Sequence, residues 1–172
     1  MNVAVRQLNE LRQPLLNLRD AMRLSAGGVS VVTAGIGQDR TGLTVTTATS
    51  LSVDPPTMVV CVNRDSSSWP VIEKHRHFCV NYLAQHQADI ADRFAGRNGE
   101  KGTARYAGAE WTTLATGASV LVDAIAAVDC AVDDYIIRHS HAIVVGRVQA
   151  LTVKGGLPLI YGQGRYGAFQ SL

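Results

Sequence analysis

Apolar residues recur at steps of three and four over residues 3–23, and this spacing predicts a helix. The stripe consists of Val5, Leu8, Leu11, Leu15, Leu18 and Met22. Pro14 interrupts it, so the segment is predicted to form two short helices or one kinked helix. The stripe is too short for a coiled coil. We therefore expect its apolar face to pack on the core or on a second subunit.

From Val29 onward the pattern becomes that of short strands. β-Branched residues fill 29–36 and 43–49, and turn residues at 37–40 join the two runs into a predicted hairpin. Asp54, Pro55 and Pro56 then break the chain. Further strands are predicted at 58–62, 78–83, 124–137 and 141–153, and short helices at 69–73 and 88–95.

Apolar and polar residues alternate within the predicted strand at 124–137. One face carries Val128, Cys130, Val132 and Ile136, and the other carries Asp129, Asp133 and Tyr135. Consecutive strands of this kind, about six or seven by these signals, favour an antiparallel barrel over a parallel sheet with crossover helices. Without an internal repeat or a linker, residues 1–172 are predicted to form one domain that begins with a helical segment at 1–24.

Composition narrows the class of protein. A formal net charge of +2 with scattered Lys and Arg argues against nucleic acid as the main ligand. Cys61, Cys79 and Cys130 are far apart and form no CxxC pair, which argues against a zinc knuckle or a disulfide framework. No apolar run is long enough to span a bilayer, and the N-terminal residues lack a signal-peptide core. We therefore expect a cytoplasmic protein without a membrane partner.

Three familiar motifs carry little weight here. Residues 162–167 match GxGxxG, but only five residues follow, so the strand–helix setting of a dinucleotide fingerprint cannot form and a tight turn is predicted. The pairs His75/His77 and His139/His141 lack a supporting carboxylate or thiol, so no metal site is predicted. The GxSxG elbow of many hydrolases is absent from the sequence.

Two hydroxyl-rich segments are the candidate chemistry. The threonines and serines from Thr41 to Ser52 are read either as ordinary β-forming residues or as a wall of donors for a polar ring. Arg64 followed by Ser66, Ser67 and Ser68 before a predicted helix is either a plain N-cap or a phosphate site.

In its order of motifs, the chain from about residue 22 to 169 resembles the small flavin reductases of two-component flavin-dependent monooxygenases. The motifs are GVSVVT at 28–33, GLTVTTATSLSVDPP at 42–56, VVCVNR at 59–64, FCVNYL at 78–83, RFAG at 93–96, HAIVVGRV at 141–148 and PLIY at 158–161 followed by Tyr166 and Gly167. The resemblance implies a mainly β, antiparallel split β-barrel of Greek-key, FMN-binding type, with a few short helices and an N-terminal helix. It also implies a homodimer with flavin near the subunit boundary.

The resemblance also implies roles for individual residues. Flavin ring and ribityl contacts are expected from Thr44, Val45, Thr46, Thr47, Ser50 and Leu51, and contacts to the ribityl chain and phosphate from Cys61, Val62, Asn63, Ser66, Ser67 and Ser68. Tyr166 matches an aromatic residue beside the flavin. His141, the one expected catalytic residue, matches a histidine near the nicotinamide. The alternative is that His141 is an ordinary histidine at the end of a strand that faces water.

The sequence departs from the family pattern at two places. Ser25, Ala26 and Gly27 replace an aromatic-containing lead-in, and Gly162 with Gln163 stands where bulkier residues are frequent. Both departures concern the nicotinamide pocket. NADH and NADPH both stay open as donors, although near His141 only Arg138 and Arg147 are available for a 2′-phosphate.

The implied activity is hydride transfer from NADH or NADPH to FMN or FAD, after which free reduced flavin leaves for a separate monooxygenase. Flavin carries this chemistry, so no protein nucleophile is required. Two alternatives stay open at this point. One is a non-catalytic FMN-binding electron carrier, and the other is an enzyme resembling pyridoxamine-phosphate oxidase.

Overall fold

The computed structural model describes residues 17–171, so the predicted helical segment at 3–16 lies outside the described residues. Three α-helices are present in the described part: α1 (Leu18–Leu24), α2 (Trp69–His75) and α3 (Ala88–Phe94). Short 3-10 helices occupy Gly37–Asp39 and Gly102–Tyr106. Asn17 and Asp20 form a reciprocal capping box that starts α1. No helix within residues 17–171 has the length and apolar character needed to cross a membrane.

The strands confirm a mainly β, antiparallel barrel. They are β1 (Gly27–Gly28), β2 (Ser30–Ala34), β3 (Thr41–Val45), β4 (Thr49–Val53), β5 (Pro56–Asn63), β6 (His77–Tyr82), β7 (Trp111–Thr113), β8 (Ser119–Leu121), β9 (Ala126–Arg138), β10 (His141–Val153), β11 (Leu159–Gly162) and β12 (Arg165–Ala168). The main sheet has the order β3-β2-β6-β9-β10-β5-β4. A second sheet has the order β1-β11-β12, and β7 pairs with β8.

The predicted strand at 43–49 is wrong in extent, because the chain leaves β3 after Val45 and begins β4 at Thr49. Thr47 lies in this break, where its Oγ1 is 3.3 Å from both the amide nitrogen and the carbonyl oxygen of Cys61. β3 and β4 are the two edges of the main sheet. The break thus carries the chain from one edge of the barrel to the other and ties the crossing to β5.

The predicted alternation at 124–137 holds only in part. Val145 pairs with Asp134 while Gly146 pairs with Val132, so Asp133 is an extra residue in a β-bulge. Because a bulge exchanges the faces of the residues beyond it, Tyr135 packs on the core. Ile136, predicted on the face of Val132, is exposed instead.

The C-terminal GxGxxG segment is a tight hairpin, as predicted. β11 and β12 pair antiparallel from Leu159 with Ala168 to Gly162 with Arg165. Gln163 and Gly164 form the connection with φ of 53° and 79°, the left-handed conformations of a two-residue hairpin turn. This hairpin places Tyr161 and Tyr166 beside the end of β3, where the candidate site lies.

Candidate active site

A pocket of about 220 Å³ lies between the end of β3, the chain after α3 and the β11–β12 hairpin. Its walls are Val29, Thr44, Val45, Thr46, Ala95, Arg97, Tyr161 and Tyr166. The rings of Tyr161 and Tyr166 meet edge to face with centroids 5.4 Å apart. Aliphatic and aromatic walls with a few polar groups are typical of pockets for flat organic ligands.

Asp92 holds the two polar residues at the mouth of this pocket. Its Oδ1 accepts a hydrogen bond from the Tyr166 hydroxyl at 2.9 Å and lies 2.8 Å from Nη1 of Arg97. The Arg97 guanidinium carbon is 5.4 Å from the centre of the Tyr166 ring. One carboxylate therefore fixes the ring of Tyr166 and restrains the Arg97 cation beside it.

The contacts of Tyr166 keep its hydroxyl protonated. Burial, together with the hydrogen bond to Asp92, raises the pKa of Tyr166 to about 12. Its hydroxyl is therefore a neutral donor to Asp92 throughout the pH range in which an ordinary tyrosine, with a pKa of about 10, begins to ionise.

The predicted wall of hydroxyl donors is only partly available to a ligand. Thr44 donates to the Ala91 carbonyl at 2.6 Å, which ties β3 to α3, and Thr47 is engaged with the backbone of Cys61. Thr46 is exposed and lines the pocket. Thr44 and Thr47 thus serve the fold first, and Thr46 is the threonine of the pocket wall best placed to donate.

A second group of predicted residues lies around the end of β5. Cys61 is half-buried, Asn63 is exposed and the Val62 side chain is fully buried in the core. Asn63 pairs with His141 across β5 and β10. His141 is exposed, and its Nδ1 is 2.9 Å from the Ser140 hydroxyl, so its Nε2 is the nitrogen left for a ligand.

The serine triplet differs from a simple helix cap. Ser68 is the N-cap residue of α2, but its side chain makes no capping bond; it is buried, with its Oγ 3.4 Å from Oγ1 of Thr41. Ser68 therefore takes the N-cap position of α2 without the side-chain hydrogen bond of a plain N-cap. The Ser66 hydroxyl is buried and has no hydrogen-bond partner within residues 17–171. Ser67 alone of the three is exposed.

The predicted site residues thus fall into three places. Thr44, Val45, Thr46 and Tyr166 share the pocket. Cys61, Asn63, His141 and the serines cluster near the end of β5, and Thr47 links them to the first group through Cys61. Ser50 and Leu51 lie exposed on β4 and do not line the pocket.

Sequence reasoning missed several pocket residues. Val29, Ala95, Arg97 and Tyr161 line the pocket, and Asp92 organises its mouth. The RFAG motif at 93–96, which lies between Asp92 and Arg97, drew attention to this region. An acidic and a basic residue five positions apart, however, do not by themselves indicate a chemical role for either side chain.

The histidines paired in the sequence have other partners in the structure. His75 Nε2 is 2.6 Å from Asp39, which also binds Lys74, and His77 accepts a hydrogen bond from the Gly35 amide. In the described part of the chain, no group of three or more potential ligand side chains could hold a metal ion.

We predict that Tyr166 resists ionisation because of its burial and its hydrogen bond to Asp92. In an ultraviolet titration up to about pH 11, Tyr166→Phe should remove little of the phenolate signal, since an ordinary tyrosine ionises near 10 and Tyr166 near 12. Asp92→Asn removes the negative charge but leaves the burial, so it should lower the pKa of Tyr166 and add part of one tyrosine's ionisation to the observed range. The double variant Asp92→Asn/Tyr166→Phe is the control that assigns this step. A large loss of signal in Tyr166→Phe alone would contradict the assignment.

The family model described as "Flavin reductase like domain" matches residues 22–170. FMN reductase (NADH) RutF of Bradyrhizobium diazoefficiens is 38% identical over 133 residues, which cover 77% of this chain and 73% of that protein.

Solved structures agree in fold. BorF, the flavin reductase component of a bacterial two-component tryptophan halogenase, has a TM-score of 0.82 at 29% identity, covering 90% of this chain and 98% of that chain. The NADH:FAD oxidoreductase SgcE6 of Streptomyces globisporus C-1027, in complex with NAD and FAD fragments, has a TM-score of 0.80 at 26% identity, covering 89% and 91%. The chain therefore belongs to the family of flavin reductase like domains.

Proposed function

We propose that this chain uses NADH to reduce FMN or FAD and supplies the free reduced flavin to a separate flavin-dependent monooxygenase. The observation that carries the proposal is the pocket at the end of β3, with two tyrosine rings, aliphatic walls and the exposed Thr46. The relatives named as an NADH-dependent FMN reductase and as a component of a two-component system support it.

The residues present fit a flavin. A bound flavin supplies a ring system that accepts hydride. The pocket offers the flat, largely apolar surface that such a ring needs. Near the end of β5, the Ser66 hydroxyl is a buried polar group without a partner, which is costly unless a ligand completes it. We assign the ring to the pocket and the ribityl phosphate to the serines, with Thr47 and Cys61 between them.

The protein's contribution in this proposal is positioning. Tyr161 and Tyr166 would hold the flavin ring and the nicotinamide ring in contact. The pocket walls would exclude water from the face of the flavin across which hydride passes. Thr46 and the backbone of β3 offer donors to the ring as negative charge develops. Arg97, held by Asp92, lies at the pocket mouth and adds positive potential there.

The activity test also separates the two alternatives. NADH oxidation is followed at 340 nm with and without added free FMN or FAD. We expect turnover that depends on added flavin. A chain that retains one tightly bound flavin and does not oxidise NADH would instead be an electron carrier. Oxidation of pyridoxamine phosphate without NADH would favour an enzyme resembling pyridoxamine-phosphate oxidase. Delivery is then tested by separating the reductase from a flavin-dependent monooxygenase with a dialysis membrane that passes flavin and other small molecules but retains both proteins.

We also propose a homodimer. Leu18, Met22 and Leu24 of α1 are 77%, 57% and 79% exposed in a single chain, and Leu51 of β4 is 62% exposed. Contiguous exposed apolar residues mark interaction sites, and Leu18, Met22 and Leu24 lie within two turns of one helix. Sedimentation equilibrium at micromolar concentration should give twice the 18.4 kDa chain mass. A monomer that retains full activity would contradict the proposal.

We predict that His141 acts on NADH and not on flavin. His141→Ala should lower kcat/KM for NADH by about ten- to a hundredfold, which corresponds to about 1.4–2.7 kcal/mol for one oriented contact. The affinity for FMN should hardly change. His139→Asn is the matched control, because His139 lies two residues away with a left-handed φ of 51° that Asn tolerates. Unchanged stopped-flow reduction in His141→Ala would leave His141 an ordinary strand-end histidine.

We predict that Ser67 helps to bind the flavin phosphate. Ser67→Ala removes one exposed donor, worth about 0.5–1.5 kcal/mol, so the Kd for FMN should rise by roughly two- to tenfold while the Kd for riboflavin stays the same. Ser140→Ala, in the neighbouring turn, is the control for a general change of the loop. Equal affinities of the wild type for riboflavin and FMN would show that no phosphate is bound here.

A further inference from the structure

A second cavity, of about 340 Å³, lies between α1 and the β11–β12 hairpin. Arg19 and Arg23, one helical turn apart on the same side of α1, line it together with Ser25 and Gln163. In the described part of the chain, neither guanidinium has a carboxylate within 4.0 Å. Asp20, the acid of this helix, is engaged in the capping box with Asn17. Within residues 17–171, the cavity is therefore lined by two cations that lack a carboxylate partner.

The hairpin fixes the position of these arginines. The Gln163 amide donates to the Arg23 carbonyl at 2.7 Å and joins the turn to the end of α1. A Cβ at Gly162 would lie 3.3 Å from the Cβ of Ala26, so a bulkier residue here would push the chain before β1 away. The two departures from the family pattern noted in the sequence, at 25–27 and at 162–163, thus meet at one wall of this cavity.

The cavity adjoins the candidate active site. Tyr161 is a wall of both cavities, facing β3 on one side and α1 on the other. A ligand whose ring lies against Tyr161 and Tyr166 can therefore extend past Tyr161 to the arginines. Guanidinium groups bind phosphate oxygens in bidentate, charge-assisted hydrogen bonds.

We propose that Arg19 and Arg23 bind a phosphate in the adenosine half of the nicotinamide dinucleotide. The inference rests on the proposed function, which puts the reacting rings in the pocket beside Tyr161 and Tyr166. The phosphate of FMN is assigned to the serines before α2, away from this cavity. The donor dinucleotide carries further phosphate in its adenosine half, and so does FAD, from which the test below separates it. The phosphate is either the adenosine-side phosphate of the NADH pyrophosphate or the 2′-phosphate of NADPH.

The test uses the full chain and three hydride donors: NADH, NADPH and reduced nicotinamide mononucleotide, which lacks the adenosine half. In Arg19→Gln/Arg23→Gln we expect KM for NADH to rise about tenfold with kcat unchanged. KM for the mononucleotide and for FMN should stay the same. Gln keeps the helix propensity and most of the side-chain length. Arg165→Gln is the matched control, since Arg165 lies on the same hairpin but lines a different cavity.

The possible results distinguish which phosphate is bound, and they distinguish failure of this proposal from failure of the proposed function. A rise for NADH identifies the pyrophosphate, and a rise confined to NADPH identifies the 2′-phosphate; both support the proposal. An unchanged KM for both dinucleotides overturns it. So do equal losses with all three donors, a rise for FAD alone, or the same effect in Arg165→Gln. A wild type that does not oxidise NADH with added flavin would instead refute the proposed function itself.

Discussion

The hairpin of β9 and β10 determines where both halves of the candidate site lie. Its strands are 13 residues long, and they are central in the main sheet, with β6 paired to β9 and β5 paired to β10. Through β6 and β2 this hairpin positions β3 and the pocket, and through β5 it positions Asn63 and His141. The bulge at Asp133 turns Tyr135 inward, where its ring meets Trp69 of α2 edge to face at 5.0 Å. Packing of α2 in turn fixes the serine loop.

Periodicity predicted the parts of the fold that depend on local patterns. Strand β10, the C-terminal hairpin and the start of α2 lie where the sequence put them. The break between β3 and β4 was missed because Thr47 has the β propensity of its neighbours, and only its bonds to Cys61 show that the chain crosses between edges. The bulge at Asp133 was missed because it depends on the partner strand.

The candidate site was predictable to a similar degree. Motif order directed attention to Thr44, Thr46 and Tyr166, and the structure places these three residues in one pocket. It could not show that the Thr44 hydroxyl is already bound to Ala91, because that contact joins residues 47 positions apart. The charged residues were the larger omission. A role for Arg97 and Asp92 becomes visible only in the structure, where the β11–β12 hairpin places Tyr166 beside them. The proposed role of Arg19 and Arg23 likewise depends on the packing of this hairpin against α1.

The electrostatics of the pocket fit the proposed release of reduced flavin. A free cation beside the reduced ring would stabilise the negative charge strongly and slow the departure of the flavin. Here Asp92 pairs with Arg97, so part of that charge is already compensated. Tyr166 stays neutral through its high pKa and adds no opposing charge. Under the proposed function, this arrangement would fix the ring geometry without an uncompensated charge beside the ring, which would favour dissociation of the reduced flavin.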